Sequence, residues 1–193
     1  DNSFKSISIC RKKGFPNTCF SNVTNLPFKD GKFSLVSILD VIEHVDDDKN
    51  VMREVSRVCK PGGLVLLTVP AFQFLWGNID IVTHHKRRYT AKGLRDVLRG
   101  SELRVDYLTY FNFLLFPLIA ALRISDRLLF NRFKNEETMK SDFTYNKPGV
   151  MNNLLTLLFS VESRILSLCK VPFGVSILCI LKKTEKQSQP ISK

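Results

Sequence analysis

Apolar residues recur along this chain in two rhythms, and each rhythm predicts an element. Val51, Met52, Val55, Val58 and Cys59 repeat at helical spacing behind Asp46-Asp47-Asp48, which supplies a cap and negative charge for a helix N-terminus. Leu94, Val97 and Leu98 form a second helical face behind the capping Thr90, closed by Gly100. Phe4, Ile7 and Ile9 or Cys10, followed by Arg11-Lys12-Lys13-Gly14, predict a short first helix with cations in its last turn and a glycine stop. The other rhythm is the continuous apolar run. Phe33 to Leu39, after the turn Lys29-Asp30-Gly31, and Leu64 to Val69, after Pro61-Gly62-Gly63, read as strands buried on both faces. Further strands are expected around Thr18 to Ser21, over Leu103 to Tyr110, and over Val175 to Leu181 after Pro172-Phe173-Gly174. From Phe111 to about Cys169 the pattern turns helical and very apolar, broken by a polar stretch from Asn131 to Pro148 that reads as a loop.

Two apolar strands joined by a helix imply a parallel pair, hence an α/β crossover. Open parallel sheets bind ligands just outside the carboxyl ends of their strands. Asn22, Asp40 and Val69-Pro70 are therefore expected to line one crevice. Asp40 ends the burial of its strand, and the Glu43-His44 pair follows at the same rim.

At 193 residues with 44% hydrophobic content the chain suits one domain with a substantial core. The net charge of +11 points to an anionic partner, and it is unevenly placed. Ten lysines and arginines face eight acids in residues 1–60, against nineteen and ten beyond. Five cysteines, odd in number and without a C-x-x-C pair, read as reduced thiols in a cytosol. No metal is expected, because the nearest pair of ligands, His84-His85, is adjacent and poorly placed to face one ion together. No signal peptide opens the sequence, and the longest apolar run, Phe113 to Leu122, contains Pro117 and falls far short of the roughly 20 residues that span a bilayer.

The most polar concentration is Thr83-His84-His85-Lys86-Arg87-Arg88-Tyr89-Thr90, between a rim strand and a capped helix. Cations, imidazoles and the aromatic Trp76 and Tyr89 offer anion anchoring, stacking and a base in one place. A solvated basic loop is the plainer alternative. Asp46 to Asp48 are read as capping alone.

Asn25-Leu26-Pro27-Phe28, Phe33-Ser34-Leu35-Val36 running through Asp40-Val41-Ile42-Glu43-His44-Val45, and Arg57-Val58-Cys59-Lys60-Pro61-Gly62-Gly63 together carry a resemblance. On these residues, with Asp1-Asn2-Ser3 and the Cys10 to Gly14 helix end, the chain resembles a class I S-adenosylmethionine-dependent methyltransferase of the methyltransferase type 11 kind. The resemblance implies a Rossmann-like α/β sheet that here lacks its first strand and glycine-rich loop. It also implies a partial core over 1–112, an apolar helical cap over 113–173, a final strand over 174–184 and a polar tail over 185–193. The cofactor implied is S-adenosylmethionine. Asp1 resembles the acid that accepts both ribose hydroxyls; Asn22, beside Val23, stands where the family carries an Asp for the adenine amino group; Asp40 and Val41 fall beside the methionine moiety. The absent glycine loop implies a fragment of a longer enzyme that binds the cofactor weakly or not at all alone.

For the reaction, His84 or His85 is the expected base and His44 a neighbour of the transferred methyl, with Lys86, Arg87 and Arg88 favouring a neutral, proton-accepting ring. Trp76, Arg87, Arg88 and Tyr89 are the expected acceptor contacts. The acceptor is expected to be a small molecule, a glycan or a lipid-linked group, with peripheral contact to anionic membrane suggested by the basic, apolar C-terminal half and nucleic acid not expected. A cytoplasmic protein, free or membrane-associated, follows. The alternative is a non-catalytic basic module binding anionic membrane or nucleic acid, and a short-chain dehydrogenase is set aside because Tyr89 and Lys92 lack the Y-x-x-x-K spacing.

Overall fold

The computed structural model describes residues 2–125 and 149–185. Helix α1 (Phe4–Lys12) is capped by Ser3 Oγ, which accepts from Ser6 N at 3.2 Å, and Gly14 closes it at φ +86°. Four strands follow, β1 (Phe33–Leu39), β2 (Cys59–Pro70), β3 (Leu103–Phe111) and β4 (Ser176–Lys183), in the sheet order β1-β2-β4-β3. β1 and β2 run parallel, and β4 is antiparallel to both β2 and β3. The carboxyl ends of β1, β2 and β3 therefore share one rim.

Helix α2 (Asp48–Val58) makes the crossover, with Val51, Met52, Val55 and Val58 buried against the sheet. Burying such side chains is worth about 1.5–3 kcal/mol each, which makes this face the main local source of stability. Helix α4 (Ala91–Val97), capped by Thr90, adds Leu94 and Val97 to the same core. On β4 the alternation is clean: Ile177, Cys179, Leu181 and Lys183 face inward. Lys183 is tolerated there because its ammonium donates to the carbonyls of Ser56 and Cys59 at the end of α2, at 2.7 and 3.1 Å, and sits 3.3 Å from Glu102.

Arg57 organises the preceding loop. Its guanidinium donates to both Glu54 oxygens, to Asp30 and to the carbonyls of Leu26 and Phe28, all within 2.9 Å, while Glu54 accepts from Leu26 N. The Leu26-Pro27-Phe28 segment is thus tied to α2 by two side chains, Arg57 and Glu54.

Three expectations need correction. β1 is not buried on both faces: only Ile38 is buried, while Leu35 and Leu39 are 61% and 53% exposed. Among the described residues β1 is an edge strand, and its outer edge and one face open onto a trough. No strand forms over residues 18–21; only Asn22 and Asn25 pair, while Phe20 stacks on Phe4 at 4.0 Å. No neighbouring strand among the described residues lies alongside to supply a ladder. The strand after α2 begins at Cys59, so Pro61-Gly62-Gly63 lies within an irregular strand start where β1 pairing shifts register.

The apolar region contributes α5 (Phe116–Ser125) and α6 (Val150–Leu168). Glu162 of α6 is buried and accepts from the backbone N–H groups of Asn112 and Leu114, fastening the helix to the end of β3. The loop expected over 131–148 lies outside the described residues, as do Asp1 and most of the tail. No helix among the described residues is long and apolar enough to cross a membrane.

Candidate active site

At the shared rim, the trough beside β1 encloses about 910 Å³. Its lining includes Asn22, Val23, Asp40, Val41, His44 and Lys86, which come from three separate stretches of chain. Asp40 adopts φ +51°, a conformation disfavoured for a residue with a side chain, as β1 ends. Its N–H reaches Thr68 O at 3.1 Å and its carboxylate accepts from Thr68 Oγ1 at 3.2 Å, so β2 fixes the turn.

Asn22 behaves differently from the sequence expectation. Its Oδ1 already accepts from Thr24 N at 3.0 Å and Thr24 Oγ1 at 2.9 Å. A carbonyl oxygen has two lone pairs, so the group left to meet a ligand is the amide NH2, a donor.

The turn Ile42–His44 follows Val41 and buries Glu43 completely. Neither Glu43 oxygen has a hydrogen-bond partner. Burial pushes its carboxyl up to about 7 against the pull of its own backbone N–H, with Asp40 and Asp80 reinforcing the rise and Arg88 opposing it. The backbone carbonyl of Glu43 accepts from Lys86 N at 2.8 Å, which brings the 83–90 loop onto the turn. His85 then lies edge-on to His44, ring centres 4.7 Å apart, with its Nε2 4.0 Å from Glu43 Oε1. On its other side His85 Nδ1 is 2.8 Å from Asp80 Oδ1.

Asp80 belongs to the short helix α3 (Asn78–Val82), where Gly77 N donates to its Oδ2 at 2.8 Å. Arg88 Nε donates to Asp80 Oδ1 at 2.8 Å and its Nη1 to Ala71 O at 2.9 Å. These donors hold the Asp80 carboxyl below the usual carboxylate range despite complete burial. Tyr89 is buried and donates to Asp48 Oδ2 at 2.9 Å; Arg87 meets the same oxygen at 3.0 Å. Burial, then the bond to Asp48, drives the Tyr89 phenol well above its ordinary range.

Of the residues singled out from sequence, the structure brings Asn22, Val23, Asp40, Val41 and His44 to one trough and sets His85 against His44. Val69 and Pro70, expected in the same crevice, are buried; Trp76 is half-buried behind the 73–75 turn and His84, at φ +56°, is exposed; none of these, nor His85, lines the trough. Arg87, Arg88 and Tyr89 are a correction: their donors are engaged with Asp48, Asp46 O, Asp80 and Ala71 O, so they brace the loop instead of meeting an acceptor. Lys86 pairs with Asp46, so the three cations expected to bias the histidines are each matched by a carboxylate. Asp47 alone caps α2, through Asn50 N at 2.9 Å. Asp46 and Asp48 serve the loop.

Sequence reasoning missed Asp80 and undervalued Glu43. A carboxylate three residues after Gly77 signals a helix start, but nothing local to it points to His85.

This arrangement, a sheet whose strand ends and following turns converge on an elongated trough, defines the fold of class I S-adenosylmethionine-dependent methyltransferases. Residues 1–67 match the family described as "Methyltransferase domain". A stretch of 43 residues is 46% identical to norajmaline N-methyltransferase of Rauvolfia serpentina, covering 22% of this chain but only 15% of the plant enzyme. The fold is similar to a S-adenosylmethionine-dependent methyltransferase from Archaeoglobus fulgidus, with a TM-score of 0.54 at 18% identity over 95% of this chain and 74% of the other. It is also similar to one from Mesorhizobium loti, with a TM-score of 0.55 at 12% identity over 94% and 77%. S-adenosylmethionine is the cofactor of this class. The trough offers groups of the kind such a ligand needs, an amide donor at Asn22 and a carboxylate at Asp40 beside the apolar Val23 and Val41.

Proposed function

We propose that this chain forms the cofactor trough and acceptor-side wall of an enzyme that transfers a methyl group from S-adenosylmethionine to a small-molecule, glycan or lipid-linked acceptor. When bound, the cofactor supplies an electrophilic methyl on a sulfonium, displaced in line by the acceptor. What remains for the protein is alignment, exclusion of water and, for a hydroxyl acceptor, removal of a proton. Asn22 donates to an adenine ring nitrogen through its amide, and the Asp40 carboxylate accepts from the ligand's polar end. His85, its Nδ1 hydrogen directed at Asp80, presents Nε2 toward His44 and Glu43, the side from which an acceptor proton is received.

The observation that carries this reading is the meeting of Asn22, Asp40 and His44 along one trough, where Asn22 comes from 18 positions before Asp40 and Lys86 from 46 positions after it. Calorimetric titration with S-adenosylhomocysteine tests it. The expected result is weak but measurable binding that Asp40→Ala lowers at least tenfold; no detectable binding, or unchanged affinity in that variant, would overturn the placement.

Within the class, a lipid-linked acceptor is supported by the apolar residues that α5 and α6 leave at the surface, among them Leu118, Leu122, Leu154 and Leu157, each at least 55% exposed. Flotation with anionic vesicles should carry the protein upward, and Leu118→Ser with Leu157→Ser should abolish it.

A further inference from the structure

Glu43, His44 and His85 each offer one ligand atom, and these atoms all lie within 4.8 Å of one another. The geometry points to a divalent metal site here: a borderline ion such as zinc, held by one carboxylate and two imidazoles, of which His44 is the one that lines the trough. One carboxylate and two histidines form a three-ligand set that leaves a coordination position for water or substrate.

Two further observations support the assignment beyond the clustering. Glu43 is 0% exposed and neither of its oxygens has a partner, an arrangement that native interiors avoid unless the group has another use. His85 is already oriented as a metal-binding imidazole. Its Nδ1 is 2.8 Å from the Asp80 carboxylate, which fixes the tautomer and leaves the Nε2 lone pair on the Glu43 side. A carboxylate behind a ligating histidine is the usual outer support of such sites. Ligand atoms that now lie up to 4.8 Å apart, with His85 Nε2 and Glu43 Oε1 at 4.0 Å, must close to about 3.3 Å around a tetrahedral ion, a movement that side-chain rotation supplies.

Charge favours the same answer. Asp40 and Asp80 are both close enough to act on Glu43, while Arg88 is the one cation among the charged groups acting on it and is already bonded to Asp80. A dication would balance the remainder. With the ion in place, His85 Nε2 is a ligand and not a base, and an acceptor oxygen at the open position would be acidified by the metal. The two roles of His85 are exclusive, so a bound metal takes over the proton-handling step proposed for His85, leaves the cofactor trough as proposed, and can fail while the trough stands.

The test uses cobalt(II) and zinc(II) with no cofactor present, on the protein carrying Cys19→Ser and Cys169→Ser to remove exposed thiol ligands. The expected result is one equivalent of cobalt with the visible absorption of a low-coordinate site, displaced by zinc. Glu43→Gln and His85→Ala should each weaken it at least tenfold, and zinc should raise the Tm of the parent but not of Glu43→Gln. Absence of stoichiometric binding, or binding that neither substitution alters, would overturn the site. S-adenosylhomocysteine affinity measured on the same samples reports separately on the cofactor trough.

Discussion

Two polar clusters stand side by side at the rim and are built on opposite terms. In the brace formed by Asp48, Asp80, Arg87, Arg88 and Tyr89, both carboxylates are buried and each meets donors at 3.0 Å or less. In the adjoining cluster, Glu43 is equally buried and its carboxyl has no hydrogen-bond partner beyond the pull of its own backbone N–H. Both sit in the same low-dielectric surroundings, so burial is not what separates them. Pairing is. The satisfied groups lock the 83–90 loop onto α2 and the Ile42–His44 turn; the unsatisfied one is held in position by its backbone and left chemically available.

Removing one partner from the brace should show the difference at its largest. Arg88→Met strands the Asp80 charge in the interior, and urea denaturation should register a loss of about 3–5 kcal/mol. A loss below that of an ordinary surface substitution would mean that the brace is ornamental. Tyr89→Phe leaves Asp48 with Arg87 still bound, so the expected loss by the same measurement is about 1–2 kcal/mol. Glu43→Leu should behave in the opposite sense. It removes a buried carboxyl without partners, and the metal-free protein should be unchanged or stabilised by up to about 1 kcal/mol while methyl transfer falls at least tenfold. Destabilisation matching that of Arg88→Met would erase the contrast between the clusters.

The smallest effect concerns a satisfied pair away from the rim. Hydrogen bonding from Arg57 holds the Glu54 carboxyl below its usual range, so that pair adds stability at neutral pH. This contribution fades as the pH falls through the ordinary glutamate range toward the lowered value of the folded state. Urea midpoints at pH 7 and pH 4 should differ less in Arg57→Gln than in the parent.

Helix α2 and helix α4 were legible because their apolar spacing and their caps, Asp47 and Thr90, are local properties. The parallel β1–β2 pair followed from the crossover, and Asp40 at the rim followed from the end of an apolar run. The loop was read with less success. Its composition marked it as a concentration of chemistry, yet composition could not say that Arg87, Arg88 and Tyr89 would turn inward. The exposure of β1 was likewise hidden, because Phe33 to Leu39 looks the same in sequence whether or not a neighbour covers Leu35 and Leu39.

Sequence alone determined the main helices and strands from Phe33 onward, the place of Asn22 and Asp40 at one crevice and the family resemblance, since periodicity, capping and turn chemistry depend on residues a few positions apart. Only the tertiary structure decided that Tyr89 would bind Asp48, 41 positions earlier, and that His85 would stand between Asp80 and the orphaned Glu43. Those meetings depend on how loops return across the rim and which side chains they face inward, and no local window of residues carries that geometry.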